Sequence, residues 1–109
     1  MSAPALDSRG HHPRHSVNEV LTAPLRLSII AALSRVDSAE FSTIRDSLEV
    51  SDSLLSKQMS TLEIAGYLTV RKGYVGKRPR TWLSVTGEGR TALASHLAAL
   101  RAIVEGLDG

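Results

Sequence analysis

At 109 residues the chain is sized for one domain with one core. Hydrophobic residues make up 42% of it but aromatics only 4%, so that core rests on Leu, Ile, Val and Ala, and the absence of cysteine excludes disulfides, thiolate metal sites and cysteine nucleophiles. Thirteen Lys/Arg against eleven Asp/Glu leave a net charge of only +2, yet Arg71, Lys72, Lys77, Arg78 and Arg80 crowd into ten residues without an acid, so the rest of the chain sums to −3.

Residues 1–16, MSAPALDSRGHHPRHS, are rich in Pro, Gly, Ser and His and show no periodicity, which predicts a flexible N-terminal arm ahead of a winged-helix domain over 17–109. His11, His12 and His15 are too sparse, and too far from any carboxylate cluster, to read as a metal site, and no cofactor is expected. The arm holds no apolar run of secretory type, and no segment approaches the roughly 18 apolar residues that cross a bilayer. A soluble, cytoplasmic protein without a membrane partner is the resulting expectation.

Asn18 can cap a short turn over about 18–22, and Pro24 opens a helix over about 24–35, since its missing N–H costs nothing in a first turn. Leu25, Ile29, Leu33 and Val36 fall on one face of that helix. Ser42 is read as the cap of a brief helix over 42–48 with Ile44 and Leu48 inward. A tight link, Glu49-Val50-Ser51, leads into a helix over 52–65 capped by Ser51, with Asp52 favoured at its positive end. Leu55, Met59 and Leu62 line the inner face of this helix, while Ser53, Ser56, Lys57 and Ser60 face out, and Gly66 closes it.

Alternation in Tyr67–Arg71 and Thr81–Val85 predicts two strands of a wing over 67–85, joined by a loop containing Gly73, Gly76 and Pro79. Tyr74 is expected to pack against the wing base, and Trp82 to anchor the strand against a helix or at its edge. Thr86 caps a last helix over 87–105, on which Leu93, Leu97, Leu100 and Val104 form a stripe that continues to Leu107. So long a stripe on so small a domain points to a partner helix, most simply its own copy in a twofold dimer. His96, the lone histidine of the folded region, is read as a surface or interface residue.

The order of elements gives a mainly α fold with a two- or three-stranded β wing, a winged helix-turn-helix. In that layout the 52–65 helix can enter a DNA major groove, offering the short groups of Ser53, Ser56, Lys57 and Ser60 to base edges. Lys72, Lys77, Arg78 and Arg80 can neutralise phosphates without reading sequence, and Ser51 marks a helix N-terminus whose free N–H groups suit a phosphate. Asp52 argues mildly the other way. No Ser/His/Asp arrangement and no phosphate-cradling glycine motif is present, so catalysis has no support. A winged helix that binds proteins is the rival reading; RNA binding is weaker, because an A-form major groove is too narrow for a helix.

The run LLSKQMSTLEIAGYLTVRKGYVGKRPRTWLSVTGEGRTAL, Leu54–Leu93, together with PLRLSIIAAL, Pro24–Leu33, resembles small MarR-like and ArsR-like winged-helix transcriptional regulators over roughly Glu19–Leu100. That resemblance implies a homodimeric, sequence-specific DNA-binding regulator, often a repressor, acting on a palindromic duplex. It places base contacts at Ser53, Ser56, Lys57 and Ser60 and wing contacts at Lys77, Arg78 and Arg80. The chain lacks the cysteines with which metal-sensing ArsR-like members bind their ions.

Overall fold

The computed structural model describes residues 10–108, with the side chains of residues 107 and 108 outside that description. In chain order it contains a 3-10 turn (Pro13–Ser16), α1 (Glu19–Thr22), α2 (Pro24–Leu33), β1 (Ala39–Glu40), α3 (Phe41–Leu48), α4 (Asp52–Ile64), β2 (Leu68–Val75), β3 (Arg78–Val85) and α5 (Gly87–Asp108). The strands form an antiparallel sheet ordered β1-β3-β2. This is a winged helix-turn-helix with a three-stranded wing.

The described end of the expected arm is folded onto the domain. Residues 1–9 lie outside the described residues, but the turn at Pro13–Ser16 packs on α5 and buries Pro13 fully. Asn18 then ties three parts of the domain together. Its Oδ1 accepts from the Leu21 N–H at 3.2 Å, its Nδ2 donates to the Tyr67 hydroxyl at 2.8 Å, and its backbone N–H donates to His96 Nδ1 at 3.0 Å. His96 is therefore no surface residue: it is 1% exposed, and its ring accepts a bond that only an unprotonated nitrogen can accept.

Pro24 begins α2, and Ile29, Ile30 and Leu33 are buried. The helix ends two residues short of the predicted boundary, and Val36 is exposed rather than on the apolar stripe. α3 begins at Phe41, not after Ser42. Glu40 occupies its N-cap position without a capping side-chain bond.

The link to α4 is closed by Glu49, which takes a left-handed conformation at φ 56°, while the Val50 N–H returns to the Arg45 carbonyl at 3.2 Å. Ser51 caps α4 by accepting from the Leu54 N–H at 3.2 Å. Leu55, Met59 and Leu62 drive α4 into the core formed with α2, Ile44, Leu68, Leu83 and Val85.

The hairpin departs most from expectation. Its strands run straight through the stretch read as a loop, pairing Lys72 with Thr81, Gly73 with Arg80, Tyr74 with Pro79 and Val75 with Arg78. Only Gly76 and Lys77 remain as the turn, and Gly76 takes the positive φ, 63°, that a two-residue hairpin with glycine first requires. Pro79 is tolerated because β1, two residues long, does not reach alongside it to ask for an N–H. Gly73 is there for space: a Cβ would lie 3.2 Å from the Trp82 ring.

Thr86 joins wing to α5. Its Oγ1 donates to the Gly66 carbonyl at 2.6 Å and accepts from the Gly89 N–H at 2.9 Å. Gly89 sits so close to β2 that any Cβ would overlap the Tyr67 carbonyl. The helix turns Gly89, His96 and Ala99 inward and leaves Leu97, Leu100 and Val104 at 42%, 36% and 58% exposure.

Candidate nucleic-acid interface

Ser53, Ser56, Lys57 and Ser60 all lie exposed on the outer face of α4. The Ser60 hydroxyl donates back to the Ser56 carbonyl at 3.1 Å, as serines on helices commonly do, which leaves its oxygen free to accept. Ser51 is engaged as the cap and lies 3.4 Å from the Ser53 hydroxyl. Gln58, which the sequence did not single out, is held from below: Arg26 donates to its Oε1 at 2.9 Å and to the Val20 carbonyl at 2.6 Å, fixing α4 against α2.

The wing meets this face across an open cleft of about 420 Å³, with Ser56 and Ser60 on one wall and Lys72 and Thr81 on the other. Strand register explains why Lys72 is there. Partners across an antiparallel ladder point to the same side, so Leu68/Val85, Val70/Leu83, Lys72/Thr81 and Tyr74/Pro79 share one sheet face. The inner pairs fill the core and Lys72/Thr81 line the cleft. Tyr74, predicted to pack at the wing base, instead stands 74% exposed beyond them.

The opposite sheet face carries the arginines. Arg71 stacks on Trp82 with its guanidinium carbon 4.4 Å from the ring centroid, so Trp82 supports a cation rather than anchoring the strand to a helix. Arg80 reaches Glu40, at 3.6 Å between Nη1 and Oε2, each side chain 34% exposed. Arg78 and Lys77 are exposed at the tip. The structure thus brings Lys72 to the α4 serines, holds Arg80 away on the other side, and leaves Lys77 and Arg78 at the outer end.

Asp52 and Glu63 border the same cleft. Asp52 is not a bare charge, however, because Arg45 of α3 donates to it at 2.9 Å and to Asp46 at 2.9 Å. The hydrogen bond to Asp46, then that to Asp52, hold the Arg45 guanidinium still further toward its charged form. No periodic signal marks Arg45, Arg26 or Glu40 in the sequence, since each reaches a partner on another element: Asp52, Gln58 and Arg80.

Among the described residues, no group of three His, Cys, Asp or Glu is placed to hold a metal ion. No helix among them is long and apolar enough to cross a membrane.

The fold and this interface define a DNA-binding type of domain. A family model described as a winged helix DNA-binding domain matches residues 25–104, most of the chain, and the protein belongs to that family. The chain superposes on a transcriptional regulator homologue from Pyrococcus horikoshii OT3 with a TM-score of 0.77 and 30% identity, over 84% of this chain and 91% of that one. The YusO protein of Bacillus subtilis shares the fold at TM-score 0.66 and 23% identity, over 85% and 68% of the two chains. An uncharacterized protein of Methanocaldococcus jannaschii is 24% identical over 79 residues, 72% of this chain and 86% of that protein.

Proposed function

We propose that the protein is a sequence-specific double-stranded DNA-binding regulator that works as a homodimer and represses transcription by occupying a palindromic site. The observation that carries this reading is the cleft whose walls are the α4 hydroxyls Ser56 and Ser60 and the wing residues Lys72 and Thr81. A helix face of short side chains can lie close to base edges in a major groove about 12 Å wide. Ser53, Ser56, Lys57 and Ser60 take the base edges, the start of α4 at Ser51 takes a phosphate, and Lys72, Lys77 and Arg78 follow the backbone. Arg80 joins them only by leaving Glu40.

The dimer half of the proposal is supported by the exposed Leu97, Leu100 and Val104 on α5, a stripe that no part of this chain covers among the described residues. Leu93, expected on the same seam, is half-buried against the domain's own core. Leu107 lies beyond the described side chains.

Selection of bound duplexes from a random pool tests the reading directly. The expected product is a symmetric motif with half-sites about one helical turn, 10–10.5 bp, apart. A dimer making roughly six to ten phosphate contacts then loses about a thousandfold or more in affinity between 50 and 200 mM salt. Equal, weak binding to duplex DNA, single-stranded RNA and other polyanions would favour a protein-interaction module instead.

A further inference from the structure

We propose that Glu40 is a specificity-determining residue: its carboxylate holds Arg80 as a stand-in for a DNA phosphate, so that only a well-seated duplex recruits that arginine. The inference rests on the DNA-binding reading above and adds a residue from outside both α4 and the basic run.

Glu40 has two roles open to it by position and fills neither in the usual way. As the N-cap of α3 it could satisfy a free helix N–H, but its side chain makes no capping bond. As the last residue of β1 it pairs with Trp82, and this register puts its side chain on the arginine-bearing face of the sheet, diagonal to Arg80. The carboxylate meets Arg80 there. Across the other ladder Arg80 faces Gly73, so no side chain of β2 competes for it.

The pairing is incomplete by its geometry. A guanidinium offers five N–H donors in a planar fork that suits a two-oxygen acceptor. Here one oxygen lies at 3.6 Å from Nη1, and Nε is shut off from solvent with no acceptor. Arg80 is therefore detained rather than satisfied, and a phosphate presenting two oxygens is the better partner. Among the described residues Lys72, Lys77 and Arg78 have no carboxylate within ion-pair distance, so Arg80 alone of these four wing cations is under such control.

The consequence falls on sequence-independent binding. Each phosphate neutralised adds about 0.9 to the slope of log affinity against log salt, whatever the sequence. Withholding one cation per chain from loosely placed duplex lowers that background, and a difference in affinity, not affinity itself, is what selects a site.

The test measures binding of the full chain to a mixed-sequence duplex across a salt series, by fluorescence anisotropy, for the wild type, E40Q, E40D, R80A and the E40Q/R80A double variant. E40Q is expected to bind more tightly by about eightfold per chain near 0.1 M salt, roughly sixtyfold for a dimer, with a slope steeper by about 0.9 per chain. E40D, which keeps the charge but draws it back toward the α3 N-terminus, is expected to steepen the slope as well. R80A alone is expected to bind mixed sequence no more tightly than the wild type, and the double variant to lose the gain of E40Q. An unchanged slope in E40Q overturns the proposal, as does weaker binding, which would make the pair a strut. A gain in E40Q that survives in the R80A background also overturns it, because general charge would then explain the effect. If the wild type itself shows no salt-dependent binding to any duplex, it is the DNA-binding reading that fails.

Discussion

α4 and α5 are both amphipathic, yet they divide their residues in opposite senses. α4 sends its large apolar side chains Leu55, Met59 and Leu62 into the domain and shows serines to solvent. α5 sends in Gly89, His96 and Ala99 and shows solvent Leu97, Leu100 and Val104. Water tolerates the serine face of α4 as it is, so a partner on that face is bound by hydrogen bonds and charge, although Leu54 and Ile64 of the same helix are exposed too. The outer face of α5 is covered favourably only by another apolar surface. Folding leaves α4 a polar face and α5 an apolar one, which is where the proposed dimer would form.

The sharpest break of this contrast is to shrink a leucine on each helix. Leu62→Ala, inside α4, leaves a cavity in the core and is expected to cost about 2–5 kcal/mol, read as a lower midpoint in urea with the slope preserved. Leu97→Ala and Leu100→Ala on α5 are expected to leave a dilute, monomeric sample near wild-type stability. Their effect appears at higher concentration. The wild type is expected to melt at a temperature that rises with protein concentration, and the double Leu97→Asp/Leu100→Asp variant to lose that dependence and sediment as a monomer. A wild type that is monomeric at micromolar concentration would leave the α5 stripe without its proposed role.

A smaller effect separates reading from gripping at the other end of the molecule. Replacing Lys72, Lys77 or Arg78 by Ala is expected to weaken binding alike on all duplexes and to reduce the salt slope by about 0.9 per chain and contact. Ser56→Ala and Ser60→Ala should leave that slope in place and relax the preference for the selected motif at single positions, by about 1 kcal/mol or somewhat more. A serine variant that changed the slope and not the motif would reverse the two assignments.

The helices were legible because their cues are local. Ser51, Pro24 and Thr86 announce starts, and the 55/59/62 spacing announces the inner face of α4, without reference to the rest of the chain. The wing tip was not legible in this way. Glycine, proline and five cations look like a loop, and they become strand only because Trp82 needs the space above Gly73 and β1 stops short of Pro79. The same limit hid the division of the basic run into two faces, since register is decided by a two-residue turn that one glycine sets. His96 was misplaced for a related reason. Its partner, the Asn18 N–H, is 78 residues away, in a segment whose sequence announces only a short capped turn.

Asp52 tests how finely the interface is tuned, with the smallest change expected. An acid at the first position of α4 favours the helix through its dipole but repels a phosphate approaching the same N-terminus. Arg45 resolves part of that conflict by bonding Asp52, although Asp46 shares the same guanidinium, so two carboxylates answer one cation. Asp52→Asn keeps the side chain's shape and removes one of the two charges. Because the pair is exposed, the melting temperature should hardly move, whereas affinity for any duplex should rise slightly as Arg45 becomes available to the backbone. The discriminating measurement is Asp46→Asn alongside it. Asp46 lies on α3 and does not border the cleft, so a rise confined to Asp52→Asn locates the effect at the α4 N-terminus, and equal rises in both would assign it to Arg45 alone.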